Sequence, residues 1–189
     1  MTQLIEMLRE EHRNIEKLLT VLESELSVFD HCERPDYEII QAVISYFQDY
    51  PDCFHHPKED LIFDKLKVRD PAAAASIGDL EAEHQSGSRR LERVAKAVNG
   101  ILIEQEVLRE KVDAIVRDFI DSEREHIAME ERVFFPSALN ALQPEDWAEI
   151  EAKVSNQEDP LFDRVTEANF NSLRQRILQW EQEAAAERA

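Results

Sequence analysis

Two stretches of this chain each place a histidine four residues ahead of a glutamate inside an apolar stripe. They are Phe54-His55-His56-Pro57-Lys58-Glu59-Asp60-Leu61-Ile62-Phe63 and Glu125-His126-Ile127-Ala128-Met129-Glu130-Glu131-Arg132-Val133-Phe134. On an α-helix, residues four apart stand one turn apart on the same face. Each pair therefore turns an imidazole and a carboxylate towards whatever the apolar stripe packs against. A fold that buries these stripes must also supply partners for the buried charge.

The stripes themselves read as helices. From Thr2 to about Phe29, apolar residues recur at Leu4, Leu8, Ile15, Leu19, Leu22 and Leu26, and His12 stands where an aliphatic residue is due. A second helix is expected from about Asp36 to Val68 along Ile40, Val43, Ile44, Phe47, Phe54, Ile62 and Leu66, kinked but continuous across Pro51 and Pro57. A third opens at Asp70-Pro71 and runs along Leu80, His84, Gly87, Leu91, Val94 and Val98 to a stop at Asn99-Gly100. The fourth is expected from about Leu102 to Leu139 along Leu108, Val112, Ile115, Phe119, His126, Met129 and Val133, with Pro136 near its end.

Short connections between four such helices predict an all-α fold, an up-down-up-down four-helix bundle with a C-terminal helical extension. The bundle is expected over residues 1–142 and the extension over 143–189. In the extension, Pro144 opens a short helix around Trp147, Asp159-Pro160 breaks the chain, and a last helix carries Phe170, Leu173, Ile177 and Trp180. Its apolar stripe predicts packing on the bundle or on a second subunit, as in a homodimer.

Only three glycines in 189 residues agree with a helical chain. A net charge of −19 excludes nucleic acid and anionic membranes as natural partners. The start, Met1-Thr2-Gln3-Leu4, has neither the basic residues nor the apolar run of a signal peptide, and no stretch approaches membrane-spanning length. A cytoplasmic location is the expectation. Cys32 and Cys53 form no C-x-x-C and read as reduced thiols.

The chemistry-bearing positions occur twice. Glu11-His12 precedes His55-x-x-x-Glu59, and Glu83-His84 precedes His126-x-x-x-Glu130, so one helical hairpin is used twice. Counted from one end of the bundle at about 1.5 Å per residue, the four histidines fall at nearly one level, roughly 15–20 Å in. Four inward imidazoles and two inward carboxylates at one height need a compensating charge, which a metal supplies. Mixed imidazole and carboxylate donors suit iron, manganese or zinc. Six donors, His12, His55, Glu59, His84, His126 and Glu130, exceed one tetrahedral zinc site and suit two octahedral ions bridged by carboxylates, with iron preferred.

With His12, the His55-x-x-x-Glu59 motif and its flanking His56-Pro57-Lys58, His84, and His126-x-x-x-Glu130 followed by Phe135-Pro136, the chain resembles the hemerythrin-like (HHE cation-binding) family over roughly residues 1–142. The resemblance implies a non-haem di-iron centre, oxo- or hydroxo-bridged, within a four-helix bundle. Carried over residue by residue, it implies that Glu59 and Glu130 bridge while His12, His55, His84 and His126 are terminal ligands. Oxygen-carrying members have two histidines one turn apart on the third helix. Here His84 is followed by Ser88, and position 80 is Leu80. The vacated position falls to a water, a small ligand, or a neighbour such as His56, Glu81 or Glu16. That departure fits binding of oxygen, nitric oxide or peroxide for sensing or scavenging better than simple oxygen carriage.

Two other function classes stay open at this point. One is iron storage or delivery, including repair of iron–sulfur centres, and the other is a helical interaction module in which the metal only stabilises the fold. A ferritin-like reading rests on Glu81-x-x-His84 and Glu123-x-x-His126, but that architecture needs a lone Glu on each of the other two helices, where this chain offers His12 and His55. Among the remaining polar groups, His31 reads as solvated, Glu16 as exposed or behind the ligands, and Tyr46 and Tyr50 as core residues or lining of the approach. Cys53 points away from the ligand face. No Ser/His/Asp constellation or phosphate-binding glycine loop occurs.

Overall fold

The structure, a computed structural model, describes residues 2–31, 33–103, 108–154, 161–162, 170 and 172–179. Among these residues there are helices and no strand: α1 (Gln3–Asp30), α2 (Tyr37–Tyr50), α3 (His56–Arg69), α4 (Pro71–Ile77), α5 (Leu80–Leu102), α6 (Arg109–Met129), α7 (Phe135–Ala141) and α8 (Pro144–Glu151). Short aspartates set several starts. Asp36 accepts from the N–H groups of Glu38 and Ile39, Asp70 from Ala73, and Asp79 from Ala82.

The long elements form a ring of neighbours. α1 lies beside α2 and α6, α2 beside α5, and α5 beside α6, while α3 continues α2 and packs on α5, α7 and α8. The expected second helix is indeed continuous, but a π-helical turn, Pro51–His55, joins α2 to α3. A second π-turn, Glu130–Phe134, joins α6 to α7. Both have one local cause. Pro57 and Pro136 follow the two turns by two residues, and a proline ring in a regular helix collides with the carbonyl four residues back. Widening the turn relieves that contact, and the backbone N–H groups of His56 and Phe135 bond instead to the carbonyls of Pro51 and Glu130, five residues earlier.

Three helix limits differ from the sequence reading. The third helix is interrupted at Gly78, whose φ of 98° separates α4 from α5. At its other end α5 does not stop at Asn99-Gly100 but runs on to Leu102, because Gly100 is buried inside the helix rather than turning out of it. The fourth helix starts at Arg109, not Leu102. In the C-terminal part, residues 172–179 are helical, and Phe170, Leu173 and Ile177 are buried in the core that α1, α2, α5 and α6 share. Trp147 on α8 is buried with α3 and α7 residues. Cys32, the Asp159-Pro160 break and Trp180 lie outside the described residues.

The apolar interior is divided. One cluster gathers Ile15 to Phe29 of α1, the apolar face of α2, Leu91 to Val98 of α5, and Val112 to Ile120 of α6. The other gathers Leu4, Ile5 and Leu8 with Ile62, Phe63, Leu66, Leu80, Phe134 and Phe135. Between the two clusters each rod turns polar side chains inward: Glu11 and His12, then His55, Lys58 and Glu59, then His84, then His126 and Glu130. The expected common level is therefore a polar layer separating two apolar cores.

Two glycines should respond oppositely to alanine. Gly78 has free space around a would-be Cβ, but its φ of 98° is strained for any L side chain, so Gly78→Ala is expected to cost about 1–3 kcal/mol. At Gly87 on α5 an added Cβ would lie 2.8 Å from Glu123 Oε1, the mobile end of a side chain. Gly87→Ala should therefore be neutral or stabilise by up to about 1 kcal/mol through helix propensity. Denaturant unfolding of the two variants measures both signs.

Candidate metal centre

His12 on α1, His55 at the end of the first π-turn, Glu59 on α3, His84 on α5, His126 on α6 and Glu130 at the start of the second π-turn converge on one point of the bundle. Glu59 and Glu130 are fully buried, and His12 and His55 keep only 3% and 2% of their side-chain surface. Glu59 lies between the imidazoles. Its Oε1 is 3.5 Å from His12 Nε2 and 3.4 Å from His55 Nε2, while its Oε2 is 3.5 Å from His84 Nε2. Glu130 Oε2 is 3.3 Å from His12 Nε2, and its Oε1 is 3.6 Å from His84 Nε2 and 3.1 Å from His126 Nε2.

None of these approaches has hydrogen-bond geometry. Both oxygens of Glu59, both of Glu130, and the Nε2 atoms of His12, His84 and His126 are buried without a hydrogen-bond partner. A protein seldom buries one such group unsatisfied. Here they all face one another. The donor atoms fall into two groups, each spanning no more than 4.8 Å: His12, His55, Glu59 and Glu130 in one, and His56, Glu59, His84 and His126 in the other. Glu59 belongs to both. Nitrogen and carboxylate oxygen at this spacing are the donor set of a first-row transition ion, so the residues present fit a pair of ions.

Behind the imidazoles stands a set of carboxylates. His55 Nδ1 is 2.7 Å from Glu11, His12 Nδ1 is 3.0 Å from Glu131, His126 Nδ1 is 3.2 Å from Glu83, and His56 Nδ1 is 3.0 Å from Asp52. His84 Nδ1 lies 3.5 Å from Asp60, beyond a well-formed bond. A carboxylate on Nδ1 fixes the tautomer with its proton there and leaves Nε2 free to ligate. The pairing is crosswise. The glutamate before His12 serves His55, the glutamate before His84 serves His126, and the acids after Glu59 and Glu130 face His84 and His12 of the opposite hairpin.

The ionisation of the cluster follows from this crowding. Burial opposes charge on His12, but Glu130, Glu131 and Glu59 overcome it and raise the imidazole from 6.5 to about 11. Burial is likewise overcome at His84, raised to about 11 by Asp60, Glu130 and Glu59, and at His126, raised to about 9 chiefly by Glu130. Burial and the charge of Glu130 push Glu59 upward, yet His55, His12 and His84 bring it down to about 2. Glu130 is held well below 4.5 by His12, His126 and His84 against its burial. His56 alone moves the other way, lowered by burial and by the charges of His84 and His55. The two buried carboxylates thus favour the protonated form of His12, His84 and His126, and those imidazoles favour the charged form of Glu59 and Glu130.

Of the groups considered for the vacated place, His56 is the one that lies at the cluster. One position off the apolar stripe, it is carried inward by the π-turn, and its ring stacks on His84 at 3.9 Å between centroids. Ser88, standing where a second histidine of the third helix would be, donates to Asp52 at 2.9 Å, and Asp52 pairs with His56. Of the other groups considered for that place, Glu81 is exposed and Glu16 pairs with Arg124, so neither reaches the cluster. The exposure of Glu81 also removes half of the ferritin-like motif pair. Glu123 lies over Gly87 beside the His126 half. Tyr46 is core, Tyr50 donates to Glu11 at 3.3 Å, His31 is exposed and bonded to the Ser27 carbonyl, and Cys53 is exposed.

The two halves differ in access. A cavity of about 340 Å³, bordered by Phe47, Leu91 and Phe119 and by Asp52, Ser88 and Glu123, opens onto His56, His84 and His126. Neither His12 nor His55 borders it.

No helix among the described residues is long and apolar enough to cross a membrane. No curated protein and no solved structure matches the chain significantly. The profile of one family, described as Hemerythrin HHE cation binding domain, matches residues 3–138, which include every residue of the convergent cluster. The chain belongs to the hemerythrin HHE cation-binding domain family.

Proposed function

We propose that the protein holds two iron ions in its polar layer and binds a small uncharged ligand, oxygen, nitric oxide or peroxide, at the more accessible of them. The observation that carries the reading is the inward convergence of carboxylate oxygens and imidazole nitrogens that have no hydrogen-bond partner. His12 and His55 hold one ion, His84 and His126 the other with His56 as a further imidazole, and Glu59 and Glu130 lie between the two positions. Bound iron supplies redox capacity and an acceptor for the exogenous ligand. The chain orients each imidazole through its backing carboxylate, excludes bulk water from the His12 and His55 half, and offers the ligand a route through the cavity beside Phe119 and Leu91. The same donors accommodate manganese or zinc, so metal specificity belongs to the test. Residues 1–142 form the family bundle in this reading, and 143–189 an extension of it.

Anaerobic reconstitution followed by metal analysis is expected to give about two irons per chain. Exposure to oxygen and then nitric oxide should change the near-ultraviolet and visible spectrum. Glu130→Gln and His126→Ala should each lower affinity for the ion at the His84 and His126 position by at least about 10–100-fold. Retention of full iron by both variants, or stoichiometric zinc with indifference to iron, would overturn the reading.

Protons and metal compete for the same nitrogens. Raised imidazoles bind protons more tightly folded than unfolded, so their stabilisation of the metal-free protein is complete below about 6.5 and is lost as pH rises through about 9 to about 11. The depressed Glu59 contributes above about 4.5, and its share is lost as pH falls through about 2. Metal must displace the imidazole protons, so loading at neutral pH should release about three protons per chain, and affinity should rise with pH. Calorimetry in buffers of different ionisation enthalpy reads the proton count directly.

A further inference from the structure

The carboxylates behind the two halves of the centre differ in one respect that the ligand set does not reveal. Behind His12 and His55, each carboxylate is capped by a cation. Lys58, only 4% exposed, places its Nζ on Glu11 Oε1, the other oxygen of the carboxylate that bonds His55. Arg9 Nε donates to Glu131 Oε2 at 3.1 Å, while Glu131 Oε1 meets His12. Behind the other half, Glu83, Asp60 and Asp52 pair with His126, His84 and His56, and among the described residues none of the three pairs with a lysine or arginine. The repeat makes the contrast direct, since Met129 precedes Glu130 where Lys58 precedes Glu59.

A buried lysine is rare unless it is paired, and this one neutralises the group that would otherwise strengthen His55 as a donor. A carboxylate on Nδ1 raises the basicity of the ligating nitrogen. A cation on the far oxygen withdraws part of that charge and adds a positive charge close to the ion, inside a buried site where screening is weak. Among the described residues, the backing acids of the second half carry no such paired cation.

We propose that Lys58 and Arg9 make the two metal positions unequal, so that a divalent cation fills the His56, His84 and His126 position first and the His12 and His55 position second. Lys58 and Arg9 are positioning residues in this scheme, because they act on the ion only through Glu11 and Glu131. The inference rests on the two-ion centre proposed above. It assigns the tighter site to the half bordering the cavity, so a protein with one ion per chain already carries that ion where an external ligand arrives.

Titration of the metal-free full chain with cobalt(II), followed by its visible absorption, tests the order. Wild type should bind in two steps separated by at least about tenfold. Lys58→Met should tighten the weaker step by about tenfold and leave the tighter one in place, while Glu83→Gln should loosen the tighter step and spare the weaker. Arg9→Gln, on a partly exposed pair less central to folding, should move the weaker step in the same direction as Lys58→Met. Two equal steps in wild type would overturn the proposal. So would a folded Lys58→Met protein with both steps unmoved or moved alike, or, where that variant does not fold, an unmoved weaker step in Arg9→Gln. A wild-type chain that takes up no cobalt and no iron would instead sink the two-ion centre itself.

Discussion

Burying two carboxylates and four imidazoles in one layer is the constraint to which the rest of the molecule is fitted. An unpaired charge in an apolar interior costs several kcal/mol, and Glu59 and Glu130 are both fully enclosed. Two conditions make the layer tolerable. Opposite charges adjoin within it, which is why His12, His84 and His126 are pushed up and Glu59 and Glu130 down. In addition, the outward ring nitrogens of His12, His55 and His126 each bond an acid at the edge of the layer, while their inward nitrogens face the two glutamates. The two apolar clusters above and below hold the rods at a spacing that keeps this arrangement closed.

The layer could be read from the chain because helical phase is a linear property. His12 falls in a leucine stripe, the pairs 55/59 and 126/130 share faces by spacing, and residue counts along helices convert to height. The π-turns could not be read in the same way. Pro57 and Pro136 announce a disturbed backbone, but whether a helix kinks, breaks or widens by a residue depends on what packs against it. Gly78 and Gly100 show the same limit. Gly78, in the interior of the expected third helix, breaks it, while Gly100, at its expected end, is packed inside α5. The phase of His56 relative to the α2 stripe has a related cause, since helical phase counted through a π-turn is off by nearly a third of a turn.

The backing carboxylates had left a trace that spacing alone does not decode. Glu11-His12 and Glu83-His84 repeat as dipeptides, and so do Glu59-Asp60 and Glu130-Glu131. Adjacent residues on a helix point about 100° apart, so the acid next to each ligand cannot serve that ligand's own metal face. It can reach the neighbouring rod, and the structure pairs each one with a histidine across a helix–helix contact. The repeated acid-plus-ligand dipeptide is thus a signal for crosswise support, visible only once the order of the rods is known.

The substitution at position 88 and the inward turn of His56 are two sides of one packing problem. A second imidazole on α5 at Ser88 would stand one turn after His84, on the side where Asp52 and the His56 ring now lie. With serine there, the hydroxyl is small enough for His56 to stack on His84 and still reaches Asp52, which in turn holds His56 by Nδ1. The third imidazole of this half therefore comes from the rod that carries Glu59 instead of the rod that carries His84. Adjacent residues on a helix point about 100° apart, and His55 and His56 accordingly fall in different donor groups, His55 with His12 and Glu130 and His56 with His84 and His126, with Glu59 common to both.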